Sequence, residues 1–254
     1  MSIDGKRILV TGSARGIGKA IALELASRGA TVIVHGPPGA PELDEAIAAV
    51  QSISRKAVRM EAELTSRAEI DALFDAIDER FGGLDCLVNN AAQQNQTPFL
   101  DLNEEDWDRV LATNLKAPYL CGQRAARMMM RTDAGGLIVN ISSVHAYDAK
   151  RNYANYSCSK AGLEMLTNCM AMELAPYNIQ VNSVVPGAIV TGLTPADRQG
   201  KIVEAIPAGR VGEVEDIAKT VAFLCARETN YITGAHIVVD GGLTLGFCAN
   251  RPEL

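Results

Sequence analysis

The sequence predicts an α/β protein: a single domain with a doubly wound parallel sheet of seven strands and helices on both faces. Three observations carry that expectation. Short apolar runs alternate with longer helical patterns along the 254 residues. Several of these runs read Val/Ile/Leu almost without a break, as strands covered on both faces do in a parallel sheet. Seven such strands alternating with six helices specify one layered sheet in one domain spanning 1–254. The chain is 48% hydrophobic and 21% charged, enough apolar surface to bury a core of that size.

The strands are expected at 7–12 (RILVTG), 31–36 (TVIVHG), 56–61 (KAVRME), 84–90 (LDCLVNN), 136–143 (GLIVNISS), 179–187 (IQVNSVVPG) and 235–242 (AHIVVDGG). Helices are expected between them near 17–29, 41–54, 66–81, 104–132, 156–176 and 213–226, with Asp/Glu and Ser/Thr at several starts and Gly29 and Gly82 at ends. The stretch at about 188–207 has no clear pattern and is expected to act as a lid over a substrate.

Composition excludes several function classes. The net charge is -6 and the charges are scattered, so nucleic acid is not an expected partner. No apolar run approaches eighteen residues and no basic leader precedes one, so neither a membrane partner nor export is expected. The six cysteines, Cys86, Cys121, Cys158, Cys169, Cys225 and Cys248, form no C-x-x-C pair and suit a cytoplasmic enzyme. His35, His145 and His236 lie at no metal-ligand spacing, so no metal site is expected.

The first strand runs into Thr11-Gly12-Ser13-Ala14-Arg15-Gly16-Ile17-Gly18, directly ahead of a helix. Glycines let backbone approach a pyrophosphate closely, and a helix N-terminus supplies free N–H groups. Gly12, Ser13, Arg15, Gly16, Ile17 and Gly18 are therefore expected to bind a dinucleotide. The second strand ends in His35-Gly36-Pro37-Pro38, with no acid to bond ribose hydroxyls or repel a 2′-phosphate, and Arg15 is at hand to attract one. The choice tilts towards NADP(H) over NAD(H), with NAD use left open. Glu63-Leu64, after the third strand, either bonds the adenine or is simply solvated. At the end of the fourth strand, Asn89 is expected to brace the backbone and Asn90 and Ala91 to contact the cofactor.

The segment Tyr153-Ala154-Asn155-Tyr156-Ser157-Cys158-Ser159-Lys160 holds the chemistry. Residues four apart share a helix face, so Lys160 can lower the pKa of the Tyr156 phenol. Tyr153 has Ser157 at that spacing and no cationic partner. The fifth strand ends in Ile141-Ser142-Ser143, and the carboxyl ends of strands are where ligands bind in open α/β sheets. One hydroxyl, one phenol and one ammonium can thus surround a single carbonyl.

Taken in order, Thr-Gly-x-x-x-Gly-Ile-Gly (11–18), Asn89-Asn90-Ala91, Asn114, Ser143, Tyr156-x-x-x-Lys160, and Pro186-Gly187 with Thr191 resemble the short-chain dehydrogenase/reductase family over nearly the whole chain. Two positions depart from its pattern: Ala92 replaces the usual Gly, and Glu63 the usual Asp. The resemblance implies a Rossmann fold and a homotetramer. It also implies that Tyr156 is the general acid/base, and that Lys160 lowers its pKa and bonds the nicotinamide ribose. Ser143 would orient the substrate oxygen. Asn114 would hold a water linking Lys160 to solvent, or brace the fourth strand. Pro186, Gly187, Ile189 and Thr191 would bind the carboxamide. Ser142 is expected to do the backbone bonding that would otherwise fall to Ser143.

The segment after Ser143, SVHAYDAKRNY, is polar where a long acyl chain would find apolar residues. Ser143, His145, Asn152, Tyr156 and Gln94 are the expected substrate contacts; Asp148, Lys150 and Arg151 are expected to face water. NISSVH, MELAPYNIQVNSVVPGAI and IPAGRVGEVEDIA look most similar to glucose and sugar dehydrogenases and to beta-ketoacyl carrier-protein reductases. The expected activity is interconversion of a secondary alcohol and a ketone, or of a sugar hemiacetal and a lactone, on a small polar substrate. A carrier-protein reductase would need a basic patch, to which Arg127 and Arg131 can contribute, although the adjacent Met128-Met129-Met130 reads as buried packing. A non-catalytic nucleotide-binding regulator would share the fold, but would have little use for Asn114, Ser143, Tyr156 and Lys160 together. The C-terminal GGLTLGFCANRPEL either crosses a subunit boundary or is a surface tail.

Overall fold

The computed structural model describes residues 3–191 and 202–245. Its first three strands, β1 (Arg7–Val10), β2 (Thr31–Gly36) and β3 (Val58–Glu61), step outward in one direction, separated by α1 (Gly16–Ser27) and α2 (Pro41–Ile53). After α3 (Arg67–Phe81) the chain returns to the other side of β1 and lays down β4 (Cys86–Asn89), β5 (Gly136–Ile141) and β6 (Ile179–Pro186). The intervening helices are α4 (Glu104–Leu111), α5 (Ala117–Met129) and α6 (Ala154–Leu174). A two-stranded ribbon, β7 (Ile189–Val190) with β8 (Gly212–Glu213), precedes α7 (Val214–Ala226), and β9 (His236–Val239) closes the edge.

The sheet order is β3-β2-β1-β4-β5-β6-β9, and every pair is parallel. Val10 lies opposite Val34 on one side and Val88 on the other, so the strand ends carrying the site are level with one another. Reversal of strand order between β1 and β4 opens a crevice at their carboxyl ends. Two apolar layers cover the sheet. Ile21, Leu25, Leu43, Val50, Ile217 and Val221 from α1, α2 and α7 fill one side. Ile70, Phe74, Ile77, Leu120 and Met129 from α3 and α5 fill the other.

All seven expected strands and six expected helical regions are present, with two informative differences. The region expected as one helix over 104–132 is broken by a π turn at Ala112–Lys116, in which the Ala117 N–H bonds the Ala112 carbonyl. The helix expected from 156 begins at Ala154, two residues earlier. Met128 and Met129 are buried as expected, but Met130 is 43% exposed at the end of α5. Of the proposed lid, residues 192–201 lie outside the described residues, as do 246–254 of the C-terminal segment and Cys248. Among the described residues no helix is long and apolar enough to cross a membrane, and no cluster of His, Cys, Asp and Glu could hold a metal.

The N-terminal edge of the sheet is pinned by a fork. Arg7 gives Asp85 its backbone N–H at 2.7 Å, Nε at 2.8 Å and Nη2 at 2.9 Å, and bonds the Phe81 carbonyl through Nη1 at 2.9 Å. Burial pushes the Asp85 carboxyl up, but the Arg7 bonds more than reverse it and hold the group below the ordinary carboxylate range. A depressed carboxylate adds stability above its unfolded-state pKa, about 3.9, and that contribution is lost as pH falls through its folded value. Asp85→Asn is therefore expected to lower unfolding free energy at neutral pH and to flatten its decline below about pH 4. Urea melts across pH 2–7 read this out; a variant with an unaltered acid slope would contradict it.

Candidate active site

The glycine loop is built around a close approach. Gly12 adopts a left-handed backbone (φ 62°), and a Cβ there would lie 2.8 Å from the Ala91 Cα. A Cβ on Gly18 would meet the Asn90 Nδ2 and the Gly12 carbonyl, both at 2.4 Å. Arg15 takes the N-cap of α1 with extended backbone, makes no side-chain cap bond, and is followed by no acid in the first turn. The first N–H groups of α1 thus have no side-chain acceptor, which suits an anionic pyrophosphate. Arg15 is exposed, and Thr191 stands across the loop, 3.8 Å from where a Gly16 Cβ would be. The backbone therefore fits a dinucleotide.

Asn90 and His35 also support the loop. Asn90 donates both amide hydrogens to loop carbonyls, Thr11 at 2.9 Å and Gly12 at 3.0 Å. Its backbone N–H and that of Ala91 both bond the Thr11 hydroxyl, at 2.9 and 3.1 Å. His35 is 1% exposed; its Nδ1 accepts from the Gly12 N–H at 3.3 Å, and its backbone exchanges bonds with Ser13. Burial pushes this imidazole down to about 4, so it is neutral at pH 7. Asn89 is structural as expected, donating to Asn140 at 2.9 Å, which in turn bonds Thr167.

Glu63 is also turned inward on its own loop. Its Oε1 accepts from the backbone and hydroxyl of Thr65, both at 3.0 Å, capping the approach to α3, and Leu64 beside it is buried. The acid that does reach the β2 edge is Glu61, which sequence reasoning missed. It lies opposite Gly36 in the sheet, bonds the Gly39 N–H at 3.2 Å, and pairs with Arg59, which also holds Asp44. Only the register of β3 against β2 brings it there.

The chemical groups converge where β5 meets α6. Ser143 follows β5 by two residues; its hydroxyl accepts from the His145 N–H at 3.2 Å and lies near enough to the Tyr156 phenol to pull its pKa down. Ser142, expected to take the backbone-bonding role, instead has a buried hydroxyl with no partner among the described residues. Lys160 is 2% exposed; its ammonium donates to the Ile141 carbonyl at 2.8 Å and lies 5.7 Å from the centroid of the Tyr156 ring. Burial pushes the phenol up, with the Ser143 bond pulling partly back, and burial brings the ammonium down to about 8. In the protein alone the phenol is raised, with burial the largest cause, while the Lys160 ammonium bonds the Ile141 carbonyl.

Asn114 sits in the π turn, fully buried. Its Oδ1 accepts from the Gln93 N–H, and its Nδ2 donates to the Gln93 carbonyl, both at 2.8 Å, and to the Ser159 hydroxyl at 3.0 Å. Both amide hydrogens are therefore committed, and the side chain braces the segment after β4. Asn155, another residue the sequence did not single out, ties the start of α6 to Asn95 at 2.7 Å and to the Asp106 carbonyl at 3.3 Å.

Around the phenol stand two further rings. Tyr153 lies 6.0 Å and His145 6.4 Å from Tyr156, and His145 lies 5.7 Å from Tyr153. Tyr153 does have a cationic neighbour, Lys150, whose Nζ is 4.4 Å from its ring; a turn rather than helical spacing supplies it. Asp148, Lys150 and Arg151 are exposed as expected. Asn152 (φ 70°) and Gln94 are exposed, and neither is hydrogen-bonded to Ser143 or Tyr156. Asn152 meets the loop after β4 through its carbonyl, which accepts from the Thr97 N–H at 3.1 Å. On the far wall, a Cβ on Gly187 would strike the Asp240 Cβ at 2.5 Å, so Pro186-Gly187 is shaped by β9. Ile189 lies in the β7–β8 ribbon.

Relatives agree with this geometry. The family profile described as Enoyl-(Acyl carrier protein) reductase matches residues 12–244. The chain is 42% identical over 250 residues to the 3-oxoacyl-(acyl-carrier-protein) reductase FabG of Aquifex aeolicus, covering 96% of this chain and 99% of that one. A short-chain type dehydrogenase/reductase from Mycobacterium marinum superposes with a TM-score of 0.91 at 34% identity, covering 96% and 98% of the two chains. A structure from Agrobacterium tumefaciens described provisionally as a gluconate dehydrogenase gives a TM-score of 0.90 at 34% identity, covering 95% and 97%. The chain belongs to the short-chain dehydrogenase/reductase family and is an NAD(P)(H)-dependent oxidoreductase.

Asn90→Ala strips two carbonyls of the glycine loop of their donors. It is expected to cost about 1–3 kcal/mol of stability and to weaken cofactor binding at least about tenfold. Fluorescence titration with NADPH and a chemical melt test both; unchanged affinity would mean that the loop holds its shape without Asn90.

Proposed function

We propose that this oxidoreductase interconverts a secondary alcohol and a ketone, or a hemiacetal and a lactone, on a small polar substrate, with Tyr156 as general acid and base. The observation that carries the proposal is the buried Lys160 ammonium 5.7 Å from the centroid of the Tyr156 ring, with the buried Ser143 hydroxyl at the adjoining strand end. Gly12, Ser13, Arg15, Gly16, Ile17 and Gly18 would hold the pyrophosphate half of the dinucleotide. Lys160, Pro186, Gly187, Ile189 and Thr191 would hold its nicotinamide half. When bound, the cofactor donates or accepts the hydride. Ser143 holds the substrate oxygen, and Tyr156 gives it a proton in reduction or takes one in oxidation. Lys160 stabilises the phenolate that results. His145 and Tyr153 form the wall against which the rest of the substrate rests.

The polar mouth supports the small-substrate reading: His145 is half-buried there, and Asn152, Gln94, Lys150 and Arg151 are all exposed. A second reading, reduction of a 3-oxoacyl thioester on a carrier protein, is favoured by the identity to the Aquifex aeolicus reductase. Arg131 speaks against a basic docking patch, since both its Nη atoms are engaged by Asp78, at 2.8 and 2.6 Å. Initial rates on acetoacetyl thioesters against a panel of sugars and polyols separate the two. A preference for the thioester would replace the first reading by the second.

NADP(H) is the proposed cofactor in preference to NAD(H), because β2 ends without an acid and Arg15 is exposed at the glycine loop. The margin is expected to be small, since Glu61 stands beside Gly36. Tighter binding of NAD than of NADP would overturn this assignment. Four copies are the proposed assembly, joined through the outer faces of α5 and α6, where Tyr119, Met165 and Met172 are exposed. Cytoplasmic residence is proposed on the reduced, unpaired character of the described cysteines.

Tyr156→Phe is expected to lower kcat by about 10²–10⁴ while leaving cofactor affinity within a few-fold. Steady-state rates with fluorescence binding decide it, and retained turnover would remove the phenol from the mechanism. Lys160→Ala is expected to move oxidation to higher pH and to weaken cofactor binding. A pH–rate profile coincident with that of the native enzyme would count against the coupling of the two groups.

A further inference from the structure

One helical turn beyond Lys160, α6 carries a second buried charged residue that the proposed roles leave unused. Glu164 is 6% exposed. Its Oε2 collects donors from three separate elements: the Tyr147 hydroxyl from the turn after Ser143 at 2.5 Å, the Ser183 hydroxyl from β6 at 3.1 Å, and Nδ1 of His236 from β9. Its Oε1 is buried with no hydrogen-bond partner among the described residues. A hydroxyl has one proton to give. With the Ser183 proton directed at Glu164, the 2.8 Å contact between Ser183 and His236 Nδ1 requires hydrogen on the ring nitrogen. The other ring nitrogen faces Asn168 Oδ1 at 2.9 Å. The ring thus ties β9 to β6 and α6.

We infer that Glu164 is a positioning residue for the reaction proposed above: it is the buried countercharge that keeps Lys160 an ammonium, and through Tyr147 it tethers the turn that follows Ser143. The inference rests on the roles proposed for Tyr156 and Lys160. A buried ammonium without a countercharge loses its proton readily. Burial alone drives Lys160 down, and Glu164 is the charge that works against it. The other titratable groups facing this stretch are Tyr156 on α6, His145 and Tyr147 on the turn after β5, and His236 on β9. β5 and β6 supply the Ile141 carbonyl and the Ser183 hydroxyl, and the π turn supplies the Asn114 amide through Ser159. A purely structural knot joining α6 to β9 would affect stability and leave the titration of Lys160 where it is.

Two variants separate the charge from the tether. Glu164→Gln keeps size and an acceptor for Tyr147 but removes the charge; Tyr147→Phe removes the bond but leaves the charge. The readouts are the pH dependence of kcat in the reduction direction and the pH dependence of the NADPH dissociation constant by fluorescence. Lys160 titrates at lower pH without Glu164, so Glu164→Gln is expected to move the alkaline limb of both curves down by about one pH unit. Tyr147→Phe is expected to leave both limbs in place and to raise KM several-fold. A Glu164→Gln protein whose limbs coincide with those of the native enzyme would overturn the inference, as would an equal shift in Tyr147→Phe. If Glu164→Gln does not fold, His236→Phe serves: taking a donor from the Glu164 carboxylate strengthens its field at Lys160, the limbs should rise, and unmoved limbs overturn the inference. Native enzyme inactive on every carbonyl tested would defeat the proposed function instead, while the binding curves would still report on Lys160.

Discussion

The site depends on one hydrogen bond, that from the Lys160 ammonium to the Ile141 carbonyl. It binds the first turns of α6 to the last residue of β5, and so fixes a helix-borne phenol against a strand-borne hydroxyl. Neither element could do this alone. The strand end supplies Ser143 at a known height in the sheet, set by pairing with β4 and β6. The helix supplies Tyr156, one turn before Lys160. Burying an ammonium is costly, and the cost is offset by the carbonyl in front of it and the carboxylate of Glu164 one turn behind.

Burial also decides the electrostatics of the pair. It favours the neutral form of both groups, so the phenol rises and the ammonium falls. A phenol that is neutral at rest is suited to giving up a proton. Its conversion to phenolate then needs positive charge close by, which Lys160 holds in reserve a ring's breadth away. Only the ammonium is thereby brought towards neutral pH, to about 8; the phenol moves away from it, so its ionisation depends on positive charge gathered around the ring.

Much of the rest of the crevice is scaffolding made of amides. Asn90 shapes the glycine loop, Asn89 and Asn140 link β4 to β5 and on to Thr167, Asn114 holds the segment after β4, and Asn155 holds the start of α6. An amide gives and accepts at once, so a single side chain can satisfy two backbones that diverge from a sheet edge. Diverging backbones at the ends of parallel strands leave such groups unpaired, and buried polar groups must find partners.

The alternation of apolar runs, the glycine loop and the Tyr156–Lys160 spacing are local patterns, and each was legible in the sequence because its physics acts within one strand, one turn or one helix face. What the sequence could not give is which of two adjacent polar residues faces the crevice. Asn90 and Glu63 turn inward to brace loops, Ser143 rather than Ser142 bonds the following turn, and Glu61 rather than any β2 residue brings an acid to the β2 edge. Strand register and the competition of buried polar groups for partners settle those choices, and both link residues that lie tens of positions apart. Tertiary structure likewise decided the sign of the shift on Tyr156, because desolvation is a property of everything packed around the ring and not of the lysine four residues on.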